Sequence, residues 1–283
     1  MDVTVISGEF GEIAFIACAT TPKERHVAIV DELFRRCGAV LFSNTQADLA
    51  AFRSFARLFG PETATGDVYV GHPELGWHAE YAYLPMRPKV LWFYCVTPAR
   101  AGGETMLVDG ERLYARIPNN MREWLDARCL MFNMVLKPAD WAMWVQAHRA
   151  DEASRILNTY SGVLAAPLNA DEIALQFKTP LITFTQFSKA PAFANTLLHA
   201  MSHRDHYGIS LSDGTSVPSG VLTEMGRLAD QCSLSILWRA TQFIMIDNTR
   251  FMHARSAYTD AARNIKFLCT RAYNVTRAVD PPQ

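Results

Sequence analysis

Beyond about residue 77 the chain breaks into short apolar runs separated by turn signals, and this cadence constrains the fold more than any other feature. The runs lie at 77–83, 89–96, 104–108, 129–136, 179–185, 192–198, 234–238, 242–247 and 264–273. Many short strands with turns between them predict an antiparallel β architecture, a sandwich or a jelly roll. Helical inserts interrupt the series, one over about Asn119 to Arg128. Another runs from about Pro218 to Cys232, with Leu222, Met225, Leu228, Ala229 and Cys232 on one side. The first sixty residues mix the two element types. Val3 to Ile6 and Ala14 to Cys18 read as strands, and Thr21-Pro22-Lys23-Glu24 reads as a capped helix start. Ile29, Val30, Leu33, Phe34 and Cys37 give that helix an apolar face, Gly38 stops it, and Ala39 to Phe42 follow as a buried strand. A second helix with Leu49, Phe52, Phe55 and Phe59 inside ends at Gly60-Pro61. No internal repeat or linker is visible. The expectation is one domain over 1–283, mainly β with helical inserts, in which 136–215 forms a lid or insert region.

Composition removes several function classes. With 49% hydrophobic residues and a net charge of -1 over 283 residues, the chain is not of the disordered type. A pI near 6.7 carries no electrostatic footprint for nucleic acid. The longest apolar run, Val90 to Val96, is far shorter than the ~20 residues that cross a bilayer, so no membrane partner is expected. The N-terminus lacks a basic segment followed by an apolar one, and the six cysteines form no CxxC pair. Reduced core thiols and a cytoplasmic location are the simplest expectation.

Chemistry enters through His-x-acid pairs, which on a strand place both side chains on one face. Chance alone provides about one such pair in a chain with this many histidines and acids. Three occur: His72/Glu74, His78/Glu80 and His203/Asp205. Pro73 makes the first a turn or edge. The third, with His206, lies in a polar run suited to a solvated loop or a surface metal cluster. His78/Glu80 sits in the aromatic, strand-like Gly76-Trp77-His78-Ala79-Glu80-Tyr81-Ala82-Tyr83. Spacing alone leaves it equally a ligand pair or a buried, hydrogen-bonded histidine. His253, on a strand returning from an Asp247-Asn248 turn, is the candidate third ligand or else a lone buried imidazole. Two histidines and one carboxylate on one face of a metal would form the facial triad of non-haem Fe(II) oxygenases.

The ordered context narrows these alternatives. Trp77-His78-Ala79-Glu80-Tyr81-Ala82-Tyr83-Leu84-Pro85 is followed by Leu91-Trp92-Phe93-Tyr94-Cys95 and Ala101-Gly102-Gly103-Glu104-Thr105. Further on come Asp213-Gly214-Thr215-Ser216-Val217-Pro218, Trp238, Asp247-Asn248, His253-Ala254-Arg255 and Arg263. Over roughly 40 to 273 this order resembles the taurine dioxygenase (TauD/TfdA) family, in the form of its SyrP-like, clavaminate synthase-like branch.

The resemblance implies a double-stranded β-helix (a cupin-like jelly roll) and C–H hydroxylation, desaturation or cyclisation with release of succinate and CO₂. It assigns Fe(II) to His78, Glu80 and His253, with O₂ and 2-oxoglutarate as co-substrates. Thr105 and Arg263 would hold the distal carboxylate of 2-oxoglutarate, a task suited to a planar guanidinium. Arg255 recurs in the family's pattern, near the substrate, bracing the metal site, or else as a solvated or salt-bridged arginine. Asn195 sits where the family often has a strand asparagine and is a substrate-facing candidate, and Tyr81 and Tyr83 are pocket-lining candidates or else core aromatics. The branch implies a small-molecule partner, an amino acid or amino-acid-derived natural-product intermediate, free or bound to a carrier protein. Two departures stand out: Ala240-Thr241 replaces the family's Gly-Asp, and Ala254 its commoner Gly. Related halogenases carry a small residue where Glu80 stands, so halogenation is disfavoured. The competing readings are a Zn- or Mn-dependent jelly-roll hydrolase or isomerase, which needs no 2-oxoglutarate clamp, and a non-catalytic binding module of the same fold.

Overall fold

The computed structural model describes residues 1–68, 74–202 and 208–275. In chain order the first elements are β1 (Asp2–Gly8), β2 (Gly11–Ala17), α1 (Val27–Cys37), β3 (Ala39–Ser43), α2 (Leu49–Ala56), β4 (Glu62–Asp67), β5 (Leu75–His78) and β6 (Val90–Thr97). The middle supplies β7 (Thr105–Asp109), α3 (Gly110–Arg116), α4 (Asn119–Asp126), β8 (Cys129–Leu136), α5 (Pro138–Val145) and α6 (Ala150–Leu157). Then come β9 (Val163–Pro167), β10 (Ile173–Pro180), β11 (Thr183–Phe184), β12 (Pro191–Ala192), α7 (Leu197–Ser202) and β13 (Ile209–Leu211). The chain closes with α8 (Ser219–Gln231), β14 (Ser233–Ile236), β15 (Phe243–Asp247), β16 (Phe251–Arg255) and β17 (Asn264–Thr270).

A seven-stranded sheet in the order β1-β2-β3-β15-β6-β17-β4 faces a four-stranded sheet ordered β14-β7-β16-β5. Every pairing is antiparallel except β2 with β3. The central strands β3, β15 and β6 are buried on both faces, and their side chains alternate accordingly. Ala39, Leu41, Leu91, Phe93, Cys95, Ile244 and Ile246 point into the space between the sheets, where they meet Leu107 and Ile236 of the smaller one. Val40, Phe42, Val90, Trp92, Tyr94, Phe243 and Met245 point outward and are covered by α1 and α2. Two sheets sharing one interior make the jelly roll expected from the strand cadence. Among the described residues no helix is long and apolar enough to cross a membrane.

Local chemistry explains several boundaries. Gly38 ends α1 at φ +74, donating its N–H to the Phe34 carbonyl at 2.8 Å. Asp48 caps α2 by accepting from the Ala51 N–H at 2.8 Å. The first helix starts later than the Thr21 cap predicts: a single 3₁₀ turn covers Glu24–His26 and regular helix begins at Val27. There the His26 ring, not a hydroxyl, takes the Lys23 N–H at 3.0 Å. Two predicted strands also shrink. Residues 79–83 form a turn, and only the first of the 192–198 run is extended before α7. Between them, the 179–185 run divides into the end of β10 and the short β11, and β10 begins earlier, with Ile173, Leu175 and Phe177 alternating with Ala174, Gln176 and Lys178. It pairs with β8, β9 and β13. Ala240-Thr241 holds a tight turn without the family's glycine. Thr241 adopts φ +67, stabilised by reciprocal 2.7 Å hydroxyl-to-carbonyl bonds with Thr45.

Candidate metal and co-substrate site

Three neighbouring strands of the smaller sheet present their inward residues in rows. Thr105 of β7 lies opposite Arg255 of β16. One step along, Leu107 lies opposite His253, and His253 lies opposite His78 of β5. The two histidines are thus direct cross-strand neighbours, with ring centroids 4.1 Å apart. A register shift on β5 lets Leu75, three residues before His78, pair with Arg255, two residues after His253. Such a bulge re-aims the end of the strand.

Glu80 arrives differently from the sequence expectation. It does not follow His78 along a strand; β5 ends at His78 and Glu80 stands in the turn beyond. Its backbone is pinned by the Asn248 side chain, which accepts the Glu80 N–H at 2.8 Å and donates to the Glu80 and Pro88 carbonyls at 2.9 Å each. Ala79 is held by the Asn195 carbonyl at 2.9 Å and the Thr196 hydroxyl at 3.1 Å. Tyr81 then takes φ +51, an uncommon conformation for a bulky residue, and packs edge-on against Trp144 at 4.6 Å.

The carboxylate consequently faces both imidazoles. Glu80 Oε2 lies 3.8 Å from His78 Nε2 and 3.5 Å from His253 Nε2. One donor atom from each residue falls within 4.8 Å of the others. Two imidazoles and one carboxylate converging in this way are a donor set that would hold a divalent cation. His78 Nδ1 contacts the Gly76 carbonyl at 2.8 Å, which directs its Nε2 toward the cluster. Burial pushes His253 down to about 3, so its imidazole is neutral and able to coordinate at physiological pH. Burial also raises Glu80, opposed by the neighbouring His78 and His199. A divalent cation would supply the missing charge compensation.

These groups line a cavity of about 320 Å³. Thr105, Arg255 and Arg263 form one end of its lining, and Phe93 and Phe267 lie on the facing sheet. The Thr105 hydroxyl accepts from Trp238 Nε1 at 2.9 Å, which leaves its own proton to donate. Arg263 is 4% exposed and fixed through Nε to the Gly103 carbonyl at 3.0 Å. Such a hydroxyl and guanidinium suit a carboxylate buried away from water. Tyr81 and Tyr83 also line the cavity. Asn195 does not: its amide donates to the Leu181 carbonyl and accepts from the Leu197 N–H. That corrects the substrate-facing place given to Asn195, since its hydrogen-bonding atoms brace the loop behind Ala79. His72, His203, Asp205 and His206 lie outside the described residues. His199, which no sequence motif singles out, lines the cavity with its ring 5.0 Å from His78. No periodicity marks it, because α7 is a six-residue helix after a break.

A jelly roll with a His₂-carboxylate cluster beside a buried hydroxyl and guanidinium fits one class, the 2-oxoglutarate-dependent dioxygenases. The model of the taurine catabolism dioxygenase TauD, TfdA family matches residues 16–270, and the chain belongs to that family. A clavaminate synthase-like protein of Arabidopsis thaliana is 21% identical over 276 residues, covering 85% of this chain and 84% of the relative. Among solved structures, AAD-2 in complex with Mn(II) and N-oxalylglycine aligns at a TM-score of 0.65 and 14% identity, covering 98% of this chain and 100% of that one. A taurine dioxygenase from Burkholderia xenovorans aligns at 0.63 and 13% identity, covering 95% and 89%.

Proposed function

We propose that the protein is an Fe(II)-dependent hydroxylase acting on a C–H bond of an amino acid or an amino-acid-derived intermediate, in the manner of the SyrP-like branch. Desaturation or ring closure are alternative outcomes of the same hydrogen removal. The observation that carries the metal reading is the convergence of His78, Glu80 and His253 next to Thr105 and Arg263 in one cavity. When bound, Fe(II) together with O₂ and 2-oxoglutarate supplies the oxidising chemistry, with release of succinate and CO₂.

The chain's own residues do the rest. His78, Glu80 and His253 would hold the ion from one side, which would leave room for co-substrates to bind it. Arg263 and the Thr105 hydroxyl orient the distal carboxylate, so the 2-oxo acid end points at the cluster. Tyr81 and Tyr83 provide an aromatic wall for the carbon skeleton, with Trp144 packed behind Tyr81. A hydrolytic Zn or Mn enzyme has no use for a buried threonine–arginine pair beside its metal, which favours the oxygenase reading.

The test is anaerobic titration of Fe(II) and 2-oxoglutarate, read by the weak visible charge-transfer band of the chelate. Its appearance, followed by turnover screens over free and carrier-bound amino acids, supports the reading. A folded protein that binds Fe(II) but yields no such band would sink it.

A further inference from the structure

Two buried guanidiniums share one end of the cavity. Arg255 is 2% exposed and Arg263 is 4% exposed. Each places its guanidinium carbon 4.9 Å from the centre of the same Tyr258 ring. Both line the cavity together with Thr105 and the metal cluster. Like charges gathered in a water-poor interior repel, and each also loses hydration. Burial and the charge of Arg255 both depress Arg263, and burial depresses Arg255. An arrangement of this kind is relieved when an anion enters between the cations.

The strand register identifies the anion. Arg255 lies two residues from His253 on β16 and directly opposite Thr105 on β7. It therefore shares the inward face with the ligand histidine but stands in the threonine's row, one step away from the metal row. Its neighbours in that row and across Tyr258 are the groups assigned above to the distal carboxylate. The tyrosines of the aromatic wall instead follow Glu80, next to the metal row. Arg263 already directs its Nε to Gly103. A carboxylate has about four lone-pair sites, more than one threonine and one partly committed arginine fill.

We propose that Arg255 is a second cationic anchor for the distal carboxylate of the co-substrate, acting with Arg263 and Thr105. The proposal rests on the reading of this cavity as a 2-oxoglutarate site. It departs from a role for Arg255 toward the substrate or the metal.

Calorimetric titration of the Mn(II)-loaded protein with N-oxalylglycine, the amide analogue of 2-oxoglutarate, tests it without turnover. Arg255→Gln is expected to weaken N-oxalylglycine about 10- to 100-fold, the range for a lost charged hydrogen bond. Arg255→Lys should recover part of the loss. Affinity for pyruvate, which has no distal carboxylate, should change less than about twofold, within the spread of a minor packing effect. Mn(II) affinity without the analogue and thermal stability report whether each variant is folded; if Arg255→Gln is not, Arg255→Lys and Arg255→Met carry the same comparison. Equal N-oxalylglycine affinity in a folded variant overturns the proposal, as does a parallel loss for pyruvate. A change confined to the KM of the oxidised substrate reassigns Arg255 to that substrate and also overturns it. If the unaltered protein fails to bind N-oxalylglycine, the co-substrate reading itself falls, a result distinguishable from the others.

Discussion

Replacing Gly103 with alanine should loosen the carboxylate clamp while leaving the metal cluster in place. Gly103 adopts φ +70, and its carbonyl accepts from Arg263 Nε at 3.0 Å. A Cβ built there lies 2.8 Å from Arg263 Nε and 2.9 Å from its Cδ, with the Tyr258 ring at 3.3 Å. The backbone conformation alone costs an L-residue about 1–2 kcal/mol. In a chain of this size that lowers the melting temperature by roughly 2–8 °C. The clash adds a second effect. To reach ordinary contact the guanidinium must retreat by about half an ångström to an ångström, enough to lose a well-aligned charged hydrogen bond worth about 1.5–3 kcal/mol. The expected result is N-oxalylglycine binding weakened about 10- to 150-fold. Mn(II) binding in its absence should stay within about twofold, since no ligand is touched. Isothermal titration of both ligands into the variant measures each term. Unchanged analogue affinity in a variant that shows the melting shift would refute the clamp geometry, because strain would be present without displacement of Arg263. Equal losses for metal and analogue would refute the separation of the two subsites.

Three further outcomes are expected. Asn248→Ala removes all three contacts that hold Glu80 and Pro88 and should weaken Mn(II) by about 10- to 100-fold, as supporting residues of metal ligands commonly do; an unaltered metal isotherm in a folded variant would count against Asn248 as the brace. Trp238→Phe deletes the donor to Thr105, and a net hydrogen bond of about 1 kcal/mol predicts a rise of roughly three- to tenfold in the KM for 2-oxoglutarate. Thiol labelling at pH 8 should modify Cys129, which is partly exposed, and spare Cys95, pushed up to about 12 by burial, and Cys269, held well above its usual range by burial; mass spectrometry of the labelled native chain would show the error if either buried thiol reacted quickly.

Much of this molecule was legible because chemistry and strand period are local. Ala39 to Phe42, Phe243 to Asp247 and the stop at Gly38 are dictated by neighbours in sequence, and the structure places them as expected. The residues named as ligands are within 4.8 Å of one another. The reason proposed for the first two was nevertheless incorrect. Period-two spacing suggested that His78 and Glu80 share a strand face, whereas a turn and a distant amide bring Glu80 into position. No local pattern announces that amide: Asn248 lies 168 residues away and reads as an ordinary turn residue. The partner of Trp238 and the place of His199 are obscure for the same reason, since their neighbours at the site come from other elements. Asn195 shows the reverse error, in which an ordered motif position suggested a substrate contact and burial assigned a brace.

The pairing of β16 with β7 has a consequence for which diacids the enzyme accepts. Successive residues on one face of a strand repeat at about 6.6–6.8 Å. His253 and Arg255, and likewise Leu107 and Thr105, are one such repeat apart. The strand is therefore a ruler, with the ligand candidate His253 at one graduation and Arg255, opposite Thr105, at the next. Because hydrogen bonds to two neighbouring strands hold it, the graduations cannot slide. On the proposed co-substrate reading, a five-carbon 2-oxo diacid should therefore bind more tightly than oxaloacetate, one methylene shorter, or 2-oxoadipate, one longer. Selectivity by length would then follow backbone pitch rather than the size of any one side chain.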